Sequence, residues 1–178
     1  MTVLGTLEVT TSGDREIVMT RLFSAPRKLV WDAMTRPELL ARWLSGPPGW
    51  SMTACQNELR EGAAFRWAWH SPDGRELLMC GVHREIVPPE RIVRTESFAG
   101  DSDAKQGEQL ATLTLTERDG PGPRGKQTAL SLTLRYASRQ ARDASLASGV
   151  AQNMNAAYDA LDELLAGLTA GANATHAA

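Results

Sequence analysis

Charge of one sign never accumulates in this sequence. The 19 Lys and Arg are set against 21 Asp and Glu, the formal net charge is -2, and like charges form no long run. That removes the electrostatic footprint of a nucleic-acid binder. Cysteine is scarce. Only Cys55 and Cys80 occur, without CxxC spacing, and they read as buried thiols, with a disulfide as the minor alternative. No apolar stretch approaches the ~20 residues needed to span a bilayer. The first residues, MTVLGTLEVTTSGDRE, have neither the basic nor the apolar segment of a signal peptide. The expectation is a soluble, cytoplasmic protein with no nucleic-acid or membrane partner, as a monomer or homodimer.

Catalytic motifs are missing as well. There is no GxSxG, no phosphate-binding loop and no HExxH. Of three histidines, His176 lies in the tail, His70 at a hairpin and only His83 mid-strand, and a single histidine without a second ligand at metal spacing argues against zinc. No catalytic residue, metal ligand or cofactor is assigned.

What is present is a strong change of hydrophobic period. GTLEVT and REIVMTRLFSA read as strands, the second with Ile17, Met19, Arg21 and Phe23 on one face. PRKLVWDAMTRPELLARWL, Pro26 to Leu44, reads as two short helices. Ser24 and Pro26 mark the start of the first; Thr35 and Glu38 have the spacing of a capping box for the second. SGPPG ends the pair. From Trp50 the period becomes two. Strands are predicted over Trp50–Asn57, Ala63–His70, Arg75–Val87, Arg91–Phe98, Gln109–Glu117 and Gln127–Tyr136, with REG, SPDG, VPPE, AGDSDAKQGE and RDGPGPRG as connections. With no helices between them, these strands form an antiparallel sheet. From about Ser138 to Gly167, Val150, Met154, Ala157, Tyr158, Leu161, Leu164 and Leu165 recur at helical spacing. Residues 1–168 read as a single domain and 169–178 as a disordered tail.

A curved antiparallel sheet can wrap one amphipathic helix and leave a cavity between them. The two short helices then close one end, as a gate or as a static lid with Trp31 and Trp43 in the core. All five tryptophans lie between positions 31 and 69, and Phe65, Trp67 and Trp69 share one strand face. That wall is either ordinary core or, with Met52, Met79 and Met154, an adaptable apolar pocket.

Four segments carry a family resemblance: APRKLVWDAMTRPELLARWL, REIVPPERIVRTESF, QTALSLTLRY and NMNAAYDALDELLA. Their order and spacing resemble the START/Bet v 1-like (SRPBCC) superfamily, in the branch of homologues of the heat-shock-protein-90 ATPase activator, over roughly Arg15 to Leu168. The resemblance implies an α+β helix-grip fold with a hydrophobic cavity, in which a curved antiparallel sheet wraps a long C-terminal helix. Superfamily members bind lipids, hormones and polyketides, and some are aromatase/cyclases; fold alone does not choose among these.

The pocket is expected at Met52, Phe65, Trp67, Trp69, Met79, His83, Met154 and Tyr158. The expected partner is a small apolar or aromatic molecule. A chaperone partner is the alternative implied by the branch. A cyclase or hydrolase using His83, Tyr158 or Glu96 as acid/base is the third reading, although a structural role for His83 is favoured. Glu85, Glu90 and Glu96 with Arg84, Arg91 and Arg94 read as surface ion pairs. The sharper alternative turns Arg94 or Glu96 inward to orient a polar group of the ligand.

Overall fold

The computed structural model describes residues 4–100, 107–121 and 125–175. Most of the two expected polar loops, at 101–106 and 122–124, therefore lies outside the described residues. Strands β1 (Glu8–Ser12) and β2 (Glu16–Phe23) come first, then helices α1 (Arg27–Thr35) and α2 (Pro37–Trp43). Six strands follow: β3 (Ser51–Asn57), β4 (Ala64–His70), β5 (Glu76–Val87), β6 (Arg91–Gly100), β7 (Gln109–Asp119) and β8 (Lys126–Arg135). The chain ends in α3 (Arg139–Ala147) and α4 (Val150–Thr175).

The eight strands make one antiparallel sheet in the order β1-β2-β8-β7-β6-β5-β4-β3. Its inner face follows from strand alternation. Ile17, Met19, Arg21 and Phe23 of β2 are all buried, as are Leu130, Leu132 and Leu134 of β8. Each large aliphatic removed from water contributes roughly 1.5–3 kcal/mol. Register shifts between Met52 and Ala54 and between His83 and Glu85 add the local bend and twist that curl a sheet. At Gly81 a Cβ would lie 1.7 Å from the Thr95 carbonyl oxygen and 2.8 Å from the Phe65 ring, so β5 and β6 approach as they do only because that residue has no side chain.

The C-terminal element is two helices, not the single one its periodicity predicts. Ser138 caps α3, its hydroxyl accepting from the Ala141 N–H at 3.1 Å. Gly149, at φ +89°, then turns the chain before α4 begins. On α4, Tyr158, Leu161, Leu164 and Leu165 are buried, and Val150 and Met154 half-buried. The helix runs to Thr175, so the expectation of a disordered tail from 169 is corrected over 169–175, and residues 176–178 lie outside the described residues. The three alanines of TAGANA favour helix, against the cost of Gly171, and the Thr169 hydroxyl donates back to the Leu165 carbonyl at 2.8 Å.

Neither expected cap forms. α1 starts after Pro26 and α2 after Arg36, without side-chain cap bonds. Thr35 is the last residue of α1, where its hydroxyl donates to the Trp31 carbonyl at 2.7 Å. Pro37 lacks an N–H and has φ preset for the first helical turn, so it starts α2 without a capping box.

The two helices are tied down on several sides. Trp43 Nε1 donates to the Ala33 carbonyl at 2.9 Å, Asn57 Nδ2 to that of Thr35 at 2.7 Å, and Trp69 Nε1 to that of Leu44 at 2.7 Å. Trp31 and Trp43 are buried. This is the geometry of the static lid.

Candidate functional site

Between the inner face of the sheet and α4 lies a cavity of about 270 Å³. Trp67 and Trp69 of β4 and Met79 of β5 form one wall. Leu113, Leu132 and Leu134 form the floor, and Met154, Ala157 and Tyr158 of α4 face them. Trp43 of α2 closes one side. The exposed residues among those bordering the cavity are Gly46, Ser148 and Asn153, so the mouth lies between the loop after α2 and the α3–α4 turn. Gly46 has φ +80°, and a Cβ there would stand 2.9 Å from the Trp69 ring. That ring is held by its bond to Leu44, so the loop fits against it only as glycine.

Five of the eight residues expected in the pocket border it: Trp67, Trp69, Met79, Met154 and Tyr158. Three do not. Phe65 is fully buried beyond the cavity, its ring 4.9 Å from that of Trp67 and 5.4 Å from that of His83. Met52 is half-buried on the edge strand β3, beside the bulge. His83 is completely buried next to Asn57. All three have the inward parity of their neighbours, but the inner face of the sheet is longer than the cavity it borders.

His83 takes the structural role. Asn57 turns its amide nitrogen to the Thr35 carbonyl, so its oxygen accepts from His83 Nε2 at 3.0 Å. The other ring nitrogen, Nδ1, has no partner among the described residues. Burial, and then the positive charge of Arg94, lower the His83 pKa to about 4. A neutral imidazole is what a dry, cation-facing site selects.

A polar cluster on β6 and β7 interrupts the apolar walls. On β6, Arg94, Glu96 and Phe98 all border the cavity, so the inward alternative for Arg94 and Glu96 replaces the surface reading. Arg94 Nε donates to Glu96 Oε1 at 2.8 Å, and Gln109 Nε2 donates to Glu96 Oε2 at 2.9 Å. Glu96 is buried, and the Arg94 side chain is 15% exposed. The guanidinium carbon sits 4.7 Å from the Trp67 ring centroid and 5.2 Å from that of Phe65, a cation–π arrangement on both rings. Alternation alone could not place this pair, because Val93 and Thr95 on the opposite face of β6 are buried too. Glu85 and Arg91 do form a half-exposed ion pair, as expected.

Of the three groups weighed as acid/base, His83 lies off the cavity. Glu96 has both oxygens engaged by protein donors. Burial pushes the Tyr158 hydroxyl far above its ordinary range, and no hydrogen bond from the described residues offsets it. Among the described residues no group of three or more His, Cys, Asp or Glu is placed to hold a metal ion. Cys55 and Cys80 are free thiols, each half-buried. They sit on different strands, opposite Trp67 and Arg66 of β4 respectively. Among the described residues no helix is long and apolar enough to cross a membrane.

A family model described as "Activator of Hsp90 ATPase homolog 1-like protein" matches residues 24–166. The chain belongs to this family. A crystal structure of a protein from Rhodobacter sphaeroides is 33% identical, with 91% of this chain and 99% of that one aligned at a TM-score of 0.80. A Mycobacterium smegmatis protein, 24% identical, aligns over 90% of this chain and 97% of its own at 0.75. One from Nitrosomonas europaea, 22% identical, aligns over 89% and 99% at 0.72. The last two speak for the fold alone. The search of curated proteins gave no match. This Hsp90-activator-like member is therefore an α+β helix-grip protein.

Proposed function

We propose that this protein binds one small apolar or aromatic molecule between the sheet and α4. The supporting observation is the cavity itself: about 270 Å³ of space, bounded by Trp67, Trp69, Met79 and Met154, with one internally paired polar cluster. Close packing normally eliminates such space from a core, and ligand pockets are mostly apolar with a few placed polar groups. The volume lies just below the ~300–1,000 Å³ range of such pockets, which favours a one- or two-ring ligand. Met79 and Met154 supply walls that adapt to shape.

Native mass spectrometry of the purified protein tests this by seeking a co-purifying small molecule. Alongside it, an apolar fluorescent probe is titrated. Saturable one-to-one binding, weakened by Trp67→Ala and Met154→Ala but not by Arg42→Ala on exposed α2 surface, is the expected result. Non-saturable binding would remove the defined pocket. The family match favours a second reading, contact with a chaperone ATPase. Stimulation of purified Hsp90 by the ligand-free protein would support it.

A further inference from the structure

The donors and acceptors of the polar cluster are unequally spent, and this deepens the binding reading on which it rests. Both oxygens of Glu96 already accept, one from Arg94 Nε and one from Gln109 Nε2. A guanidinium has five N–H donors, and Arg94 uses only Nε on a side chain; its Nη groups have no partner among the described residues. The guanidinium carbon lies over the Trp67 and Phe65 rings, contacts that supply no hydrogen-bond acceptor of the oxygen type to the Nη groups. The cavity therefore offers free donors, while its one carboxylate is taken.

Charge narrows the choice. Arg94 and Glu96 neutralise each other at 2.8 Å. A carboxylate ligand would bring an uncompensated negative charge into an apolar space beside Glu96. An ammonium ligand would face Arg94 and would have to displace a donor from Glu96. Burying an unpaired charge is costly, whereas a neutral carbonyl accepts a hydrogen bond without adding charge. We infer that the pocket selects a neutral aromatic or alicyclic molecule bearing a hydrogen-bond-accepting carbonyl, whose oxygen docks on the Nη donors of Arg94.

The test is a matched probe series on the intact chain: 2-acetylnaphthalene, 2-ethylnaphthalene, 2-naphthoate and 2-naphthylmethylammonium, titrated by tryptophan fluorescence and calorimetry. The ketone is expected to bind about tenfold tighter than the hydrocarbon, the equivalent of one charged-donor hydrogen bond, and tighter than either ion. Arg94→Met should bring the ketone-to-hydrocarbon affinity ratio towards one. Glu96→Gln, which keeps the side-chain shape and removes the charge, should raise naphthoate affinity relative to the ketone about tenfold. The wild-type series decides the question even if Arg94→Met fails to fold. Equal binding of ketone and hydrocarbon, or tightest binding of either ion, would overturn the inference while the binding reading stands. If no probe saturates, the binding reading itself fails.

Discussion

Arg21 on β2 reaches across the core to Asp159 on α4, its Nη2 donating to the carboxylate at 2.7 Å. The same nitrogen donates to Asp162 at 2.5 Å, one helical turn on. Arg21 is 1% exposed, whereas the side chains of Asp159 and Asp162 are 55% and 31% exposed. Burial works against the guanidinium's charge, but its bonds to Asp162 and then Asp159 outweigh it, and its pKa is raised. The arrangement fixes α4 in rotation and register against the sheet, and so fixes which face of α4 borders the cavity.

Removing one partner should expose the cost of that burial. Asp162→Ala is expected to destabilise the protein by about 3 kcal/mol, the usual penalty for leaving a buried charge short of its partner. Asp159→Ala should cost less than half as much, because its carboxylate is more solvated. Urea midpoints at constant m-value measure both. Equal losses would mean that the two carboxylates share the work evenly.

A charge on the buried face of α4 should be worse. Leu161 is fully buried, and Leu161→Asp is expected to cost several kcal/mol through an unpaired buried carboxylate. An unchanged melting temperature would contradict the assigned face.

His83 makes stability depend on pH in a defined direction. In the unfolded chain it takes up a proton near pH 6.5, whereas in the folded protein it does so only near pH 4. Stability attributable to it is complete above about pH 6.5, declines as the pH falls towards 4, and levels off below. The loss should be on the order of 3 kcal/mol. His83→Gln should flatten the slope of unfolding free energy between pH 6.5 and 4.5. An identical slope in both proteins would show that other groups cause it.

The lid helices should not open readily. With Trp43, Asn57 and Trp69 each bonded to a main-chain carbonyl of the α1–α2 region, the amides of Leu40 and Leu44, bonded to the Arg36 and Leu40 carbonyls, should exchange as slowly as those of β4 and β8. Exchange orders of magnitude faster would point to local opening and restore the gate.

At the mouth, Gly46→Ala should strain the backbone and press on a pinned Trp69 ring. A loss of about 1–2 kcal/mol is expected, with a change in probe affinity because Trp69 borders the cavity. Wild-type stability and binding together would show that the loop re-forms without cost.

Much of the fold could be read from the order of residues because its signals are local. Strand alternation put Ile17, Met19, Arg21 and Phe23 on one face, and all four are buried. Helical spacing gave the buried face of α4 through Tyr158, Leu161 and Leu165. What stayed hidden depends on contacts distant in the chain. Nothing near Arg21 indicates that Asp159 and Asp162 will meet it. The inner face of β6 was ambiguous because both of its faces are buried. Thr35 and Glu38 have cap spacing, but Pro37 between them starts the helix without it. Gly149 did signal the α3–α4 turn, and the continuous apolar period around it masked the signal.

The pairing of β2 with β8 governs how this molecule is made. The Thr128 hydroxyl closes onto the Ala25 carbonyl from 103 positions away, and β2 meets β8 along its whole length. While the chain emerges from a ribosome, β2 has only the short β1 beside it, whereas β3 to β7 pair with successive neighbours as they appear. Such distant pairings are slow to close. The carboxylates that receive Arg21 emerge later still, on α4. Strands β1 and β2, first in sequence, therefore join the rest of the sheet only after β8 has emerged, and a nascent chain halted before α4 lacks the helix that covers the cavity side of its sheet.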